Sequence, residues 1–200
     1  MNLDKTLDKE NLVFSGKSKD IYLSPEGEYA KKYALVFTDR ATGYLDNNGR
    51  PVFDPGYDSV VGSIPGKGAI AGKFAAYFFE LFSKQGILTH YIDSVRDDVM
   101  IVEPATPLSL PEQAPEFEGS EPLQNLEWTW RHNAMGSFWR RYPFVRPCQN
   151  LSCVVEAWTK GDTDRLITTG ALVAAGVMTE DEVTWVEKFV KSLATVISDE

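Results

Sequence analysis

The sequence predicts an α+β chain in two lobes, on three observations. The first forty residues alternate short β-prone runs with turn residues, two later segments carry apolar residues at helical spacing, and a proline-rich stretch interrupts the middle. The organisation expected is an N-terminal lobe over residues 1–103, a linker or surface excursion over 104–124 and a second lobe over 125–200.

Residues 1–10 are polar and charged and read as a loose arm that folds onto the domain or stays mobile. Leu12-Val13-Phe14 and Ile21-Tyr22-Leu23 flank Ser15-Gly16-Lys17-Ser18-Lys19, a strand, a glycine-containing turn and a returning strand. Pro25-Glu26-Gly27 turns the chain again before the β-prone run Tyr33 to Thr38, so this opening is an antiparallel meander. Thr42 to Gly66 is rich in Gly, Asp, Asn and Pro, with a turn at Asp46-Asn47-Asn48-Gly49, and reads as a long ordered loop near a site. Ala69, Ile70, Phe74, Tyr77, Phe78, Leu81 and Phe82 recur every three or four residues, giving an amphipathic helix over 67–85 that Gly86 ends. Strands follow at Thr89 to Ile92 and Met100 to Glu103.

Pro104, Pro107, Pro111, Pro115 and Pro122 exclude helix and central strand from the next stretch. Beyond it, Leu126 to Trp130 reads as a strand, Ala134 to Tyr142 as a short helix with a basic end, and Cys153 to Trp158 as a strand. Thr179 and Glu182 form a capping box, and Val183, Val186, Val190, Leu193 and Ile197 continue the final helix at helical spacing.

With 200 residues, 43% of them hydrophobic and 24% charged, the chain has an ordinary globular composition and enough length to bury a core without staples. Cys148 and Cys153 have no second cysteine pair or histidine cluster beside them, so reduced thiols are expected in place of a metal site. No run approaches the roughly 20 apolar residues of a membrane helix, and the charged N-terminus is no signal peptide. A cytoplasmic protein with no membrane partner is therefore expected, and the sequon Asn150-Leu151-Ser152 is a chance match. The net charge of −9 repels polyphosphate chains. Arg131, Arg140, Arg141 and Arg146 offer the one basic cluster, sized for a single phosphate group and not for a nucleic acid.

Five segments have residue types that could carry chemistry. In Gly16-Lys17-Ser18-Lys19, glycine lets the backbone approach a phosphate and two lysines one residue apart project from one strand face, which makes either a nucleotide-phosphate clamp or a solvated turn. It lacks the spacing of a Walker loop. Ile64-Pro65-Gly66-Lys67-Gly68 precedes the first long helix, where free N–H groups and the helix dipole favour an anion; its plain alternative is an entry turn. Thr38-Asp39-Arg40 ends a strand with an acid and a guanidinium, which either bind a zwitterion or, as the better expectation, pair with each other. In Arg131-His132-Asn133-Ala134-Met135-Gly136-Ser137, small residues favour close approach, and Ser137 with Arg131 and Arg141 suits a sugar phosphate. Lys160-Gly161-Asp162-Thr163-Asp164 is either an exposed charged turn or a group that orients ribose hydroxyls or a metal. His90 and His132 lie in different segments, away from any triad or zinc pattern.

In order, these segments resemble the phosphoribosylaminoimidazole-succinocarboxamide synthase (SAICAR synthetase) family. Gly16-Lys17-Ser18-Lys19-Asp20-Ile21-Tyr22 is similar to its Gly-Lys-x-(Lys/Arg)-x-x-Tyr loop, and Phe37-Thr38-Asp39-Arg40-Ala41-Thr42-Gly43-Tyr44 to its Asp-Arg segment. Ile64-Pro65-Gly66-Lys67-Gly68 matches almost verbatim, and Leu88-Thr89-His90 resembles its Pro-Thr-His turn. The stretch from Glu127 to Ser137 resembles Glu-x-Val-Val-Arg-Asn-x-x-x-Gly-Ser, with His132 additional, and Lys160 to Asp164 resembles Lys-x-Asp-x-x-Asp-Pro with a shorter spacer and no proline.

The resemblance covers roughly residues 12–197 and implies a two-lobe SAICAR-synthetase-like fold, with an antiparallel sheet in the first lobe and an α/β second lobe. It also implies an ATP- and Mg2+-dependent ligase that activates the carboxylate of carboxyaminoimidazole ribonucleotide and lets the amine of L-aspartate displace phosphate. By carry-over Gly16, Lys17, Ser18 and Lys19 bind ATP. Arg131 and Ser137 hold the ribonucleotide phosphate, and Gly136, Asp39, Arg40, Lys67, Gly68, Lys160 and Asp162 complete the substrate site. The family continues into an Asp-x-Lys-x-Glu-Phe-Gly strand and an Asp-x-Ser-Arg-x-Trp segment that supply magnesium-binding acids; neither occurs in these 200 residues. The prolines of 104–124 interrupt the family's adenine hinge. Catalytic and metal residues therefore stay unassigned. The alternative reading is a non-catalytic or split member that binds a nucleotide or ribonucleotide without turnover, with a homo-oligomer or a second chain completing the site.

Overall fold

The computed structural model describes residues 2–108, 121–160 and 164–199. They form two compact units, one of residues 2–106 with Glu121, the other of residues 107–108 and those from Pro122 on. Chain order in the first unit is α1 (Leu3–Thr6), a 3-10 turn (Lys9–Asn11), β1 (Leu12–Ser15), β2 (Lys19–Leu23), β3 (Tyr33–Phe37), β4 (Arg40–Leu45), β5 (Pro51–Phe53), β6 (Val60–Ser63), α2 (Lys67–Lys84), β7 (Tyr91–Arg96) and β8 (Val99–Val102). Then come β9 (Ala105–Leu108) and β10 (Glu121–Gln124), which form a two-stranded sheet. The second unit holds β11 (Leu126–Asn133), α3 (Gly136–Arg141), β12 (Asn150–Thr159), β13 (Arg165–Ile167), α4 (Thr169–Ala174) and α5 (Glu180–Ser198).

Strands of the first unit form an antiparallel sheet in the order β1-β2-β3-β8-β7. Alternation along β3 assigns its faces. Tyr33, Leu35 and Phe37 join Met100, Val102 and the α2 residues Ala71, Ala75 and Phe79 in one core, while Ala34 and Val36 join Val99, Ile101, Leu3 and Leu7 on the other side. Of the two arrangements expected for the N-terminal arm, it takes the one folded onto the domain, as a turn of helix. Asn2 caps it, Leu3 and Leu7 pack beneath the sheet, and Thr6 is buried. Charge along the segment concealed two apolar residues four apart.

The long loop expected over 42–66 is instead a small sheet, β5-β4-β6. The Asp46-Asn47-Asn48-Gly49 turn closes the β4–β5 hairpin, with Asp46 Oδ1 accepting from the amides of Asn48 and Arg50 at 2.8 Å each. Its strands are only three to six residues long, too short for a two-residue period to stand out among glycines and prolines.

Helix α2 forms where expected but buries a different face. Gly68, Gly72, Ala76 and Phe82 are buried, whereas Ile70, Phe74 and Tyr77 are exposed. The reason is steric: a Cβ on Gly72 would stand 2.2 Å from the Asp97 carbonyl oxygen, and one on Gly68 would stand 2.4 Å from that of Phe37. Small residues let the helix axis approach the sheet, so Phe79 and Phe82 pack inward while Ile70, Phe74 and Tyr77 are turned outward.

In the second unit β11, β12 and β13 form an antiparallel sheet. Its core gathers Ala157, Leu172, Met178 and Val183 with Leu126, Trp128, Ile167 and Val186. Helix α5 has the expected capping box, Thr179 Oγ1 accepting from the Glu182 amide and Glu182 accepting from the Thr179 amide. Strand β13 and helix α4 fall in a segment where the sequence reading assigned no element. Thr168 caps α4, the one local signal that marked it. Because the backbone at Gly72 leaves no room for a methyl group, Gly72→Ala is expected to lower unfolding stability by about 1–3 kcal/mol in a urea titration.

Candidate phosphate-binding clefts

The first cleft lies at the β1–β2 turn. The Gly16 amide donates to the Lys19 carbonyl at 2.8 Å, closing the turn, and the Ser18 carbonyl accepts from the Thr38 amide at 2.9 Å. Ser15 Oγ donates to Asp20 Oδ1 at 2.6 Å, and Arg40 grips the same carboxylate through two nitrogens at 2.6 and 3.2 Å. Burial would raise the Asp20 value, yet the bonds from Arg40 and Ser15 outweigh it and hold this carboxyl below its usual range. The hairpin tip is therefore tied to the start of β4.

Phe14, Ile21 and Val60 form apolar walls of a cleft of about 670 Å³ that Gly16, Lys17, Ser18 and Lys19 also line. That volume suits a small-molecule ligand. The two lysines do not project from one strand face, because Lys17 lies in the turn before β2 begins. Lys17 Nζ sits 2.6 Å from Asp58 Oδ1 on the β5–β6 connection, and Lys19 Nζ lies 5.2 Å from the centroid of the Phe37 ring. His90 stands edge-on to Phe79, and burial, followed by the charge of Lys19, pushes its imidazole below the usual value.

The Asp39–Arg40 ion pair expected at the end of β3 is absent, since Arg40 turns to Asp20. Asp39 instead accepts from the Gly68 amide at 2.9 Å through Oδ1 and from the Gly66 amide at 3.1 Å through Oδ2. Those are the amides at the start of α2 that the sequence left free for an external anion. The carboxylate that fills this position belongs to the chain itself, so the Ile64–Gly68 loop is an anchored helix start. The Gly68 and Gly66 amides, aided by Lys67, hold Asp39 below the ordinary carboxylate range. Lys67 Nζ reaches the Thr38 carbonyl at 3.5 Å.

The second cleft, about 500 Å³, lies on the sheet of the other unit and is lined by Thr129, Ser137 and Trp158, by the cations Arg131, Arg140 and Arg141 and by the acids Glu127 and Asp164. Arg131 and Ser137, predicted together, are joined: Arg131 NH2 donates to Ser137 Oγ at 3.0 Å. Between the arginines sits Glu156, a residue the sequence reading passed over. It accepts from Arg131 Nε at 3.3 Å and from Arg141 NH2 at 2.6 and 2.7 Å. An acid inside the apolar run Val154-Val155-Glu156-Ala157 was the available signal. The Arg141 guanidinium also lies 4.6 Å from the Trp158 ring.

Lys160 bridges Glu127 at 2.8 Å and Asp164 at 2.5 Å, and both acids raise its value, Asp164 more strongly. Asp162 lies outside the described residues. Gly136 begins α3 with φ of +55°, a left-handed backbone suited to glycine. The additional His132 sits opposite a bulge: Arg131 pairs with Val154 and Asn133 with Asn150, so three residues of β12 face this one. Ser152 and Cys153 take positive φ there, and His132 Nε2 is 3.1 Å from Ser198 Oγ on α5.

The SAICAR synthetase family profile matches residues 12–199. Among curated relatives, the phosphoribosylaminoimidazole-succinocarboxamide synthase of Clostridium tetani is 34% identical over 194 residues, covering 95% of this chain and 75% of the relative. That of Pyrobaculum calidifontis is 28% identical, covering 94% of this chain and 66% of the relative. Among solved structures, the synthase from Ehrlichia chaffeensis superposes with a TM-score of 0.69 at 17% identity, over 94% of this chain and 67% of that one. A SAICAR synthetase in complex with ADP gives 0.65 at 21%, over 93% and 66%. The chain thus spans two thirds to three quarters of the length of these proteins.

The Asp39 anchor has a pH signature. A carboxyl held low in the folded state stabilises it above the ordinary value of 3.8 and loses that contribution as pH falls through the lowered value. Asp39→Asn is therefore expected to melt below the wild type at pH 7, with the gap closing below about pH 4 in thermal melts across pH.

Proposed function

The chain belongs to the SAICAR synthetase family, and on that premise we propose that it takes part in the ATP-dependent ligation of L-aspartate to carboxyaminoimidazole ribonucleotide. One observation carries the reading: a single chain has two separate cationic clefts, one in each compact unit, each of a size for a small phosphorylated ligand. A reaction that uses one nucleotide and one ribonucleotide needs such a pair.

In this reading the first cleft binds ATP. Phe14, Ile21 and Val60 offer an apolar wall, and Lys17 and Lys19 place positive charge beside the phosphates. Positioning and charge neutralisation are what phosphoryl transfer chiefly demands of a protein. The second cleft takes the ribonucleotide through the Arg131–Ser137 pair, with Arg140 and Arg141 adding charge. The substrate carboxylate attacks the γ-phosphorus and ADP leaves. The aspartate amine then attacks the acyl carbon of the mixed anhydride, phosphate departs, and an amide remains.

Magnesium belongs to this proposal through the family alone. Among the described residues no group of three or more His, Cys, Asp or Glu converges as a metal site, so no step is assigned to the ion. Among the same residues no helix is long and apolar enough to cross a membrane. The ligands proposed are small molecules.

The test is phosphate release from ATP with magnesium, ribonucleotide and aspartate all present. Release is expected only with both co-substrates, and the double variant Lys17→Ala, Lys19→Ala is expected to lower kcat/KM for ATP by about a hundredfold or more. Ligand binding without phosphate release would replace the ligase reading with a binding role, and absence of ATP binding would remove it.

A further inference from the structure

We propose that Glu156 is a positioning residue for the ribonucleotide phosphate, holding Arg131 and Arg141 in the orientation in which the second cleft presents them. The inference rests on the ligase reading above and goes beyond it to a residue that touches no ligand itself.

Glu156 projects from β12 with a side chain only 6% exposed. An unpaired carboxylate so placed would be strongly disfavoured, and two guanidinium groups compensate it. The bonds divide unevenly. Arg141 spends one nitrogen on both carboxylate oxygens, while Arg131 gives Nε to Glu156 and NH2 to Ser137. Ser137, Arg131, Glu156 and Arg141 thus form one continuous network along the cleft, and among the described residues NH1 of Arg131 has no protein partner. Arg141 Nε is buried without a hydrogen-bond partner. A guanidinium free to choose would satisfy that donor, so the carboxylate and the Trp158 ring set its position.

The three charged groups, two Arg and one Glu, sum to one positive charge, which still attracts a phosphate. Two effects oppose each other when the acid is neutralised. Loss of the negative charge by itself draws an anion more strongly, but an amide offers one acceptor oxygen where two accept three bonds, so the guanidinium planes lose their register. A planar fork owes its affinity for phosphate to orientation, and the second effect governs.

The experiment titrates the purified chain by calorimetry with carboxyaminoimidazole ribonucleotide and, separately, with ATP. Glu156→Gln is expected to weaken ribonucleotide binding about tenfold, the scale of a lost outer-shell orienting group, with ATP affinity unchanged. In turnover, KM for the ribonucleotide rises while kcat is kept, as for an interaction shared by ground and transition states. Glu156→Asp, which keeps both oxygens on a shorter stem, recovers part of the loss. Equal or tighter ribonucleotide binding by Glu156→Gln overturns the inference and leaves the ligase reading standing. A wild type that binds no ribonucleotide overturns both. Should Glu156→Gln fail to fold, Glu156→Asp carries the test: weakened ribonucleotide binding with ATP binding intact supports the role, and unchanged binding overturns it.

Discussion

The first unit depends on one carboxylate at a strand corner. Asp39 lies between β3 and β4 and accepts the amides of Gly66 and Gly68, so the chain that leaves through the small β4–β6 sheet is brought back to the end of the central strand β3 where α2 begins. Once the helix start is fixed, its direction is fixed too. Gly68 lies against the Phe37 carbonyl and Gly72 against that of Asp97, contacts that only a residue without Cβ permits. The next residue along the corner, Thr38, is hydrogen-bonded to Ser18 in the hairpin tip, and Arg40 to Asp20 in β2. The orientation of the helix and the closure of the first cleft thus share a corner of three residues.

In the proposed reading an acidic chain must keep its cations oriented when no phosphate is present, and its own carboxylates hold them to very different degrees. Lys17 pairs with Asp58 where the two side chains are 53% and 93% exposed. Exposed pairs of this kind contribute about 0–1 kcal/mol, so an arriving phosphate displaces the carboxylate at little cost. Glu156 itself is buried, at 6% exposure against 27% and 25% for Arg131 and Arg141, so removing a partner would leave a buried carboxylate uncompensated. A ligand cannot exchange with that acid. The exposed carboxylate is a counterion that gives way, and the buried one is a fixed part of the arginine geometry.

Much of this was legible in the sequence because it is local. The Thr179–Glu182 capping box, the glycine turn between β1 and β2 and the helical period of α5 are statements about residues within a few positions of each other. The Arg131–Ser137 contact was legible for a similar reason, six residues apart at a strand-to-helix junction. What escaped was non-local. Whether Asp39 pairs with its neighbour Arg40 or with amides 27 and 29 residues away depends on where α2 returns, which no window of sequence contains. The buried face of α2 escaped because hydropathy ranks phenylalanine above glycine, whereas close approach to a sheet ranks them in reverse. Glu156 escaped because the guanidinium groups that compensate it, Arg131 and Arg141, lie 25 and 15 residues away.

The choice of cation in each cleft follows the fate of the phosphate it is proposed to meet. Lysine is a compact charge on a flexible stem, and Lys17 and Lys19, anchored to quite different partners, can follow a phosphoryl group whose bonds change during transfer. Arginine is a rigid planar fork, and Arg131 and Arg141 are locked by a buried acid and by Ser137 or an aromatic ring. A fork fixed in this way suits a phosphate that stays attached to its ribose throughout and serves as a handle. In such a handle, binding energy comes from geometry set before the ligand arrives, because a preorganised site loses little conformational freedom on binding. The same consideration explains why the acid that holds the fork is buried: at the surface, screening and side-chain entropy would leave the pair too weak to keep the guanidinium planes in place.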